Sequence, residues 1–67
     1  MATAKKMDHA AYQRGLKRKS IDQLRFIIQD AREASEANPE GENAGYYIDE
    51  MHYAYAELQR RRLAGLY

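Results

Sequence analysis

The stretch Ser20-Ile21-Asp22-Gln23-Leu24-Arg25-Phe26-Ile27-Ile28-Gln29-Asp30-Ala31 decides the fold. Ser20 is followed three residues later by Gln23, and apolar residues recur at Ile21, Leu24, Ile27 and Ile28. That is a capping box opening a run of helical rather than alternating period. The spacing predicts a helix over 21–37. At about 100° per residue, Ile21, Leu24, Ile27, Ile28, Ala31 and Ala34 gather on one stripe. Asp22, Arg25, Gln29, Asp30, Arg32, Glu33 and Glu36 cover the rest. Phe26 points well away from the stripe, so either the N-terminal segment covers it or it belongs to a partner-binding surface.

Working outward toward the C-terminus, Asn38-Pro39-Glu40-Gly41-Glu42-Asn43 concentrates residues that cannot continue a helix. Pro39 pushes Asn38 out of α geometry and Gly41 favours a turn. A second helix is expected over 44–64, with Asp49 and Glu50 near its positive end, Arg60, Arg61 and Arg62 near its negative end, and Gly65 placed to terminate it. Tyr47, Ile48, Met51, Ala54, Tyr55 and Leu58 are expected on its buried face. A short loop between two helices makes them antiparallel. Toward the N-terminus, residues 1–7 are expected to fray, because Met1 to Lys6 lacks periodicity. Asp8 can cap a short helix over 9–18 with Ala11, Tyr12 and Leu16 as its apolar strip, although Gly15 weakens it. The expectation is an all-α chain: an antiparallel helical hairpin with a short N-terminal helix folded across it, a three-helix unit forming one domain over 1–67.

Composition agrees. Ala, Leu, Glu, Gln, Lys and Arg dominate, while Val and Trp are absent and Thr occurs once, which argues against a β-fold. The absence of Cys excludes a disulfide scaffold and a thiolate zinc site, and fits a reducing cytoplasmic setting. No apolar run reaches the roughly 18 residues of a membrane span. Of the 67 residues, only 13 are Leu, Ile, Met or Phe. Since chains this small rarely draw more than ~3–5 kcal/mol from a single core, packing against another chain, a homodimer included, is an expectation.

Charge is segregated. Residues 1–19 carry net +5, residues 20–59 net −7 and residues 60–67 net +3, within a total of +1. In an antiparallel hairpin Lys17, Arg18 and Lys19 should meet Arg60, Arg61 and Arg62 as one basic pole. That pole either contacts phosphate or an acidic protein surface, or simply complements a helix dipole. Four tyrosines fall within ten residues. Tyr46 and Tyr53 project off the expected stripe beside Asp49, Glu57 and Arg60, either as interface anchors or against the first helix.

Catalytic patterns are poor. His9 and His52 are the two imidazoles, and neither Ser20 nor Ser35 sits in a nucleophile elbow. Asp49-x-x-His52 has a metal-bundle spacing but projects away from the apolar stripe. The loop Glu40-Gly41-Glu42-Asn43 lacks calcium-loop spacing. Neither an enzymatic activity nor a cofactor or metal is expected.

The run Asp30-Ala31, Asn38-Pro39-Glu40-Gly41, Gly45-Tyr46-Tyr47, Asp49-Glu50 and Glu57-Leu58 with Arg60-Arg61 resembles small uncharacterised helical proteins of short-tailed bacteriophages, over residues 8–63. The resemblance implies a protein that works in the host cell cytoplasm by binding and redirecting a bacterial host factor, such as a polymerase, nuclease or defence component. The near-neutral charge departs from the acidic composition of DNA-mimic inhibitors. The expected function is a non-enzymatic protein-interaction module whose partner-binding residues are Tyr46, Tyr53, Asp49, Glu57 and Phe26. The alternative is a nucleic-acid-binding module that uses the basic pole.

Overall fold

A computed structural model of the chain describes residues 7–66, and these form three helices: α1 (His9–Leu16), α2 (Ile21–Ala37) and α3 (Ala44–Leu63), with no strand among the described residues. The fold is all-α. Residues 1–6, expected to fray together with Met7, and Tyr67 lie outside the described residues.

Each boundary has a local cause. The Ser20 box is complete: the Gln23 N–H donates to Ser20 Oγ at 3.0 Å, and the Ser20 N–H donates to Gln23 Oε1 at 2.7 Å. Asp8 caps α1 by accepting from the Ala11 N–H at 3.1 Å. α1 stops at Leu16, two residues before the expected end. Ser20 must be extended (ψ 165°) to cap α2, so the chain from Lys17 to Lys19 leaves the helix in tight turns, its amides bonded to the carbonyls of Arg14, Gly15 and Leu16. The α2–α3 loop closes through Gly41 N–H to the Asn38 carbonyl (3.0 Å) and Ala44 N–H to the Gly41 carbonyl (3.1 Å). A Cβ at Gly41 would collide with the Asn38 side chain. α3 ends in a Schellman motif: Gly65 takes φ 75°, Leu66 N–H donates to the Arg61 carbonyl at 2.8 Å and Gly65 N–H to the Arg62 carbonyl at 3.1 Å.

α2 and α3 pack along their length as the antiparallel pair, and α1 lies mainly on α3. His9 meets Tyr53 at one end of α1 and Leu16 meets Arg61 at the other, so α1 runs parallel to α3. The body is elongated, 45 × 22 × 15 Å. Its core is small: Leu16, Leu24, Ile28, Ala54 and Leu58, with Tyr12, Ile21, Ile27 and Tyr53 packed against it.

The α2 stripe matches its expected membership, with Leu24, Ile28 and Ala31 buried and Ile21, Ile27 and Ala34 half-buried. The α3 stripe is rotated. Ala54 and Leu58 are buried as expected, but Tyr55 and Ile48 are 55% and 43% exposed, while Glu57 and Arg61 are buried instead. The cause is α1, which occupies the Tyr53–Glu57 flank of α3 and turns that flank inward. For the same reason α1 cannot cover Phe26, which stands 68% exposed on the outer side of α2.

Leu24 is completely buried at the centre of this core. Truncation to Leu24→Ala is expected to cost about 2–5 kcal/mol, an amount comparable with the whole stability of so small a domain. Thermal unfolding followed by far-UV circular dichroism should lose its cooperative transition.

Candidate functional site

The most organised side-chain cluster joins α1 to α3. Glu57 and Arg61 are one turn apart, as are Glu57 and Arg60, so all three share one side of α3. Arg60 donates to both carboxylate oxygens of Glu57 (Nε 3.1 Å, Nη2 2.7 Å), and Arg61 Nε donates to Glu57 Oε2 at 2.8 Å. Arg61 Nη2 then reaches across to α1 and donates to the carbonyls of Leu16 (3.0 Å) and Lys17 (3.3 Å). No buried side-chain nitrogen or oxygen among the described residues is left without a partner.

A second, aromatic contact lies one to two turns away. The Tyr12 hydroxyl donates to Glu50 Oε2 at 2.9 Å, and the Tyr53 hydroxyl pairs with His9 Nδ1 at 2.8 Å. The Tyr53 ring meets His9 edge-on at 5.6 Å and lies tilted beside Tyr12 at 6.2 Å. Burial, then the hydrogen bond to the Glu50 carboxylate and its negative charge, push the Tyr12 phenol well above its usual range. Tyr12 therefore stays a neutral donor.

These contacts relocate several residues expected at a partner surface. Tyr53 serves as the seat of α1, because the first helix lies on its flank of α3. Glu57 is 7% exposed and held by two arginines, so its carboxylate does not face a partner. Tyr46 is half-buried with its ring edge-on to Tyr47 at 5.9 Å, and Asp49 is half-buried. Phe26 alone of that set is strongly exposed.

The basic runs do come together, since Arg61 binds the Lys17 carbonyl. Arg61 itself is 9% exposed, however, and its charge is offset by Glu57. The exposed cations of the pole are Lys17, Arg18, Lys19, Arg60 and Arg62, joined by Arg14. What the sequence reading missed is the exposed pair Ile48 and Tyr55. They lie about 140–160° round α3 from Tyr53, on the flank away from α1. The signal for the shift was present in the Glu57/Arg61 spacing, which marks a self-neutralising pair able to be buried.

Among the described residues no cluster of three His, Asp or Glu side chains could hold a metal ion. None of their helices is long and apolar enough to cross a membrane. The chain matches no protein-family model, no curated protein and no solved structure.

The arginine network makes stability acid-sensitive. Hydrogen bonds from Arg60, opposed by burial and reinforced by Arg61, lower the Glu57 carboxyl from 4.5 to about 2. A carboxyl held below its unfolded value stabilises the fold above that value and loses this contribution as pH falls through the folded one. Tm is therefore expected to drop between about pH 4.5 and about pH 2. Glu57→Gln should lower Tm at neutral pH and flatten this acid limb in pH-dependent melting curves.

Proposed function

We propose that this protein is a non-enzymatic protein-interaction module that binds a partner through the open flank of α3 and blocks or redirects the surface it covers. The observation that carries the reading is the exposure of Ile48 and Tyr55, two turns apart on the solvent face of α3. In a chain with only 13 Leu, Ile, Met and Phe side chains, leaving an isoleucine and a tyrosine at mid-helix in water forgoes core stability. An interface is the ordinary reason for such a pair, because Tyr brings a large contact area at low entropic cost. A rigid hairpin that presents them loses little freedom on binding, which favours occlusion as the mechanism. The resemblance to short-tailed phage proteins supplies the context, a bacterial host factor as the partner and the host cytoplasm as the location.

The double variant Ile48→Asp, Tyr55→Asp replaces exposed side chains, so helicity by circular dichroism should be unchanged. Affinity capture from a bacterial lysate with quantitative mass spectrometry should recover a stoichiometric partner on the wild-type chain and lose it on the variant. Recovery of the same proteins at the same level by both would overturn the reading.

A second reading, binding of nucleic acid, is favoured by one specific observation: Arg61 ties the turn that starts at Lys17 and carries Arg18 and Lys19 to the last turn of α3, which carries Arg60 and Arg62. Aromatic stacking platforms are absent from that set, so affinity would rest on phosphate contacts. The expected outcome is anisotropy-detected binding to DNA or RNA at low salt whose log K falls by roughly 0.9 per log unit of salt for each duplex phosphate contacted. Arg18→Ala with Lys19→Ala should weaken it for all sequences alike. No binding at low salt removes this reading.

A further inference from the structure

Between α1 and α3 lies an open groove of about 380 Å³. One end is apolar and shallow, lined by Ala10, Ala56 and the Tyr53 ring; the other end carries Arg14, Lys17 and Arg60. Glu57 also lines it, but its carboxylate is already bonded to Arg60 and Arg61, so the end is cationic. The small residues matter geometrically, because two alanines leave room for a large side chain between the helices. Arg60 is pre-oriented by Glu57, which lowers the ordering cost of an incoming anion.

The same molecule displays the complementary chemistry on the outer face of α2. Phe26 stands out at 68% exposure, and Asp30 and Glu33, both exposed, follow it on the same face at four and seven residues. The groove has matching steps: Ala10 is followed by Arg14 at four and Lys17 at seven, and Ala56 by Arg60 at four. We propose that the groove receives the outer face of α2 from a second copy of this chain. Phe26 of one copy sits over Ala10 and Ala56 of the other, and Asp30 and Glu33 face Arg14, Lys17 and Arg60. Equal steps along parallel helix faces put Asp30 opposite Arg14 and Arg60 and Glu33 opposite Lys17 in a single register, which is the charge complementarity that selects this occupant.

The ridge and the groove lie on different faces of the body, so the contact is heterologous: each copy gives one ridge and offers one groove, building head-to-tail oligomers. A groove two helical turns long buries an area at the low end of specific interfaces, and association should be concentration-dependent. It goes beyond the partner reading above and uses a different surface, so Ile48 and Tyr55 are untouched by its test.

Sedimentation velocity on the full chain from ~10 μM to ~1 mM should give a weight-average mass that rises above 7.8 kDa with concentration and falls with added salt. Two variants separate the halves of the contact. Phe26→Ser with Asp30→Asn removes the ridge, and Arg14→Gln with Lys17→Gln removes the cationic end of the groove. All four positions are exposed, and circular dichroism checks that both variants stay helical. Each alone is expected to be monomeric, while an equimolar mixture forms a one-to-one dimer that grows no further, because one chain keeps the groove and the other the ridge. A wild-type chain that stays monomeric overturns the proposal, even if its Arg14 and Lys17 resonances shift with an added acidic helical peptide, which would assign the groove to a foreign segment. So does a variant that self-associates alone like the wild type, or a mixture that remains monomeric.

Discussion

One guanidinium ties the C-terminal end of the first helix to the hairpin. α1 has eight residues, well short of the length at which a helix is stable in water by itself. Its last carbonyls have no partner within the helix and carry the negative end of its dipole. Arg61 donates to two of the carbonyls at that end, Leu16 and Lys17, from a different helix. It thus caps α1, links it to α3 and places a positive charge at its negative end through the same pair of hydrogen bonds. Glu57 fixes the guanidinium in that pose and offsets its charge, without which Arg61 could not be buried.

Such a pair is not the cheapest way to fill that space. Desolvating a carboxylate and a guanidinium costs free energy that apolar side chains of the same size would not incur. What the pair adds is direction. Tyr12 and Leu16 are the α1 side chains in or against the core, and two apolar contacts on one short helix leave its rotation and register loosely set. The bonds from Arg61 to the α1 carbonyls, from Tyr12 to Glu50 and between Tyr53 and His9 set both. α1 is therefore positioned by polar geometry, and α2 against α3 by apolar area.

That division explains what could be read from the sequence. The α2 boundaries, the loop and the α3 terminus were legible because each is settled within a few residues: Ser20 with Gln23, Asn38 with Gly41, Gly65 with Arg61 and Arg62. The α2 stripe was legible because its period is strong. The α3 stripe was not, because apolar residues lie on two sides of α3 and only the position of α1 decides between them. A projection that counts apolar residues puts Tyr55 inward and Glu57 outward. The structure reverses both, since Glu57 and Arg61 neutralise one another and can be buried as a unit. The candidate site was legible only in outline: the basic runs could be brought together on paper, but which arginine would be consumed as a structural tie depended on contacts some 45 residues apart in the chain.

Burial of that tie also refines the charge segregation. Glu57 and Arg61 leave the surface together, one acid from the negative segment and one base from the positive one, so the polarity of the molecule survives their removal. What changes is its arrangement. Among the described residues six exposed cations, Arg14, Lys17, Arg18, Lys19, Arg60 and Arg62, belong to the C-terminal turns of α1 and α3 and the segment after α1, while Arg25 and Arg32 stand among the acids of α2. A body 45 Å long exceeds the screening length of about 8 Å at physiological salt several-fold. An approaching molecule therefore meets one local field at a time, never the net charge of +1, and its own charge decides which end or face of the molecule it encounters first.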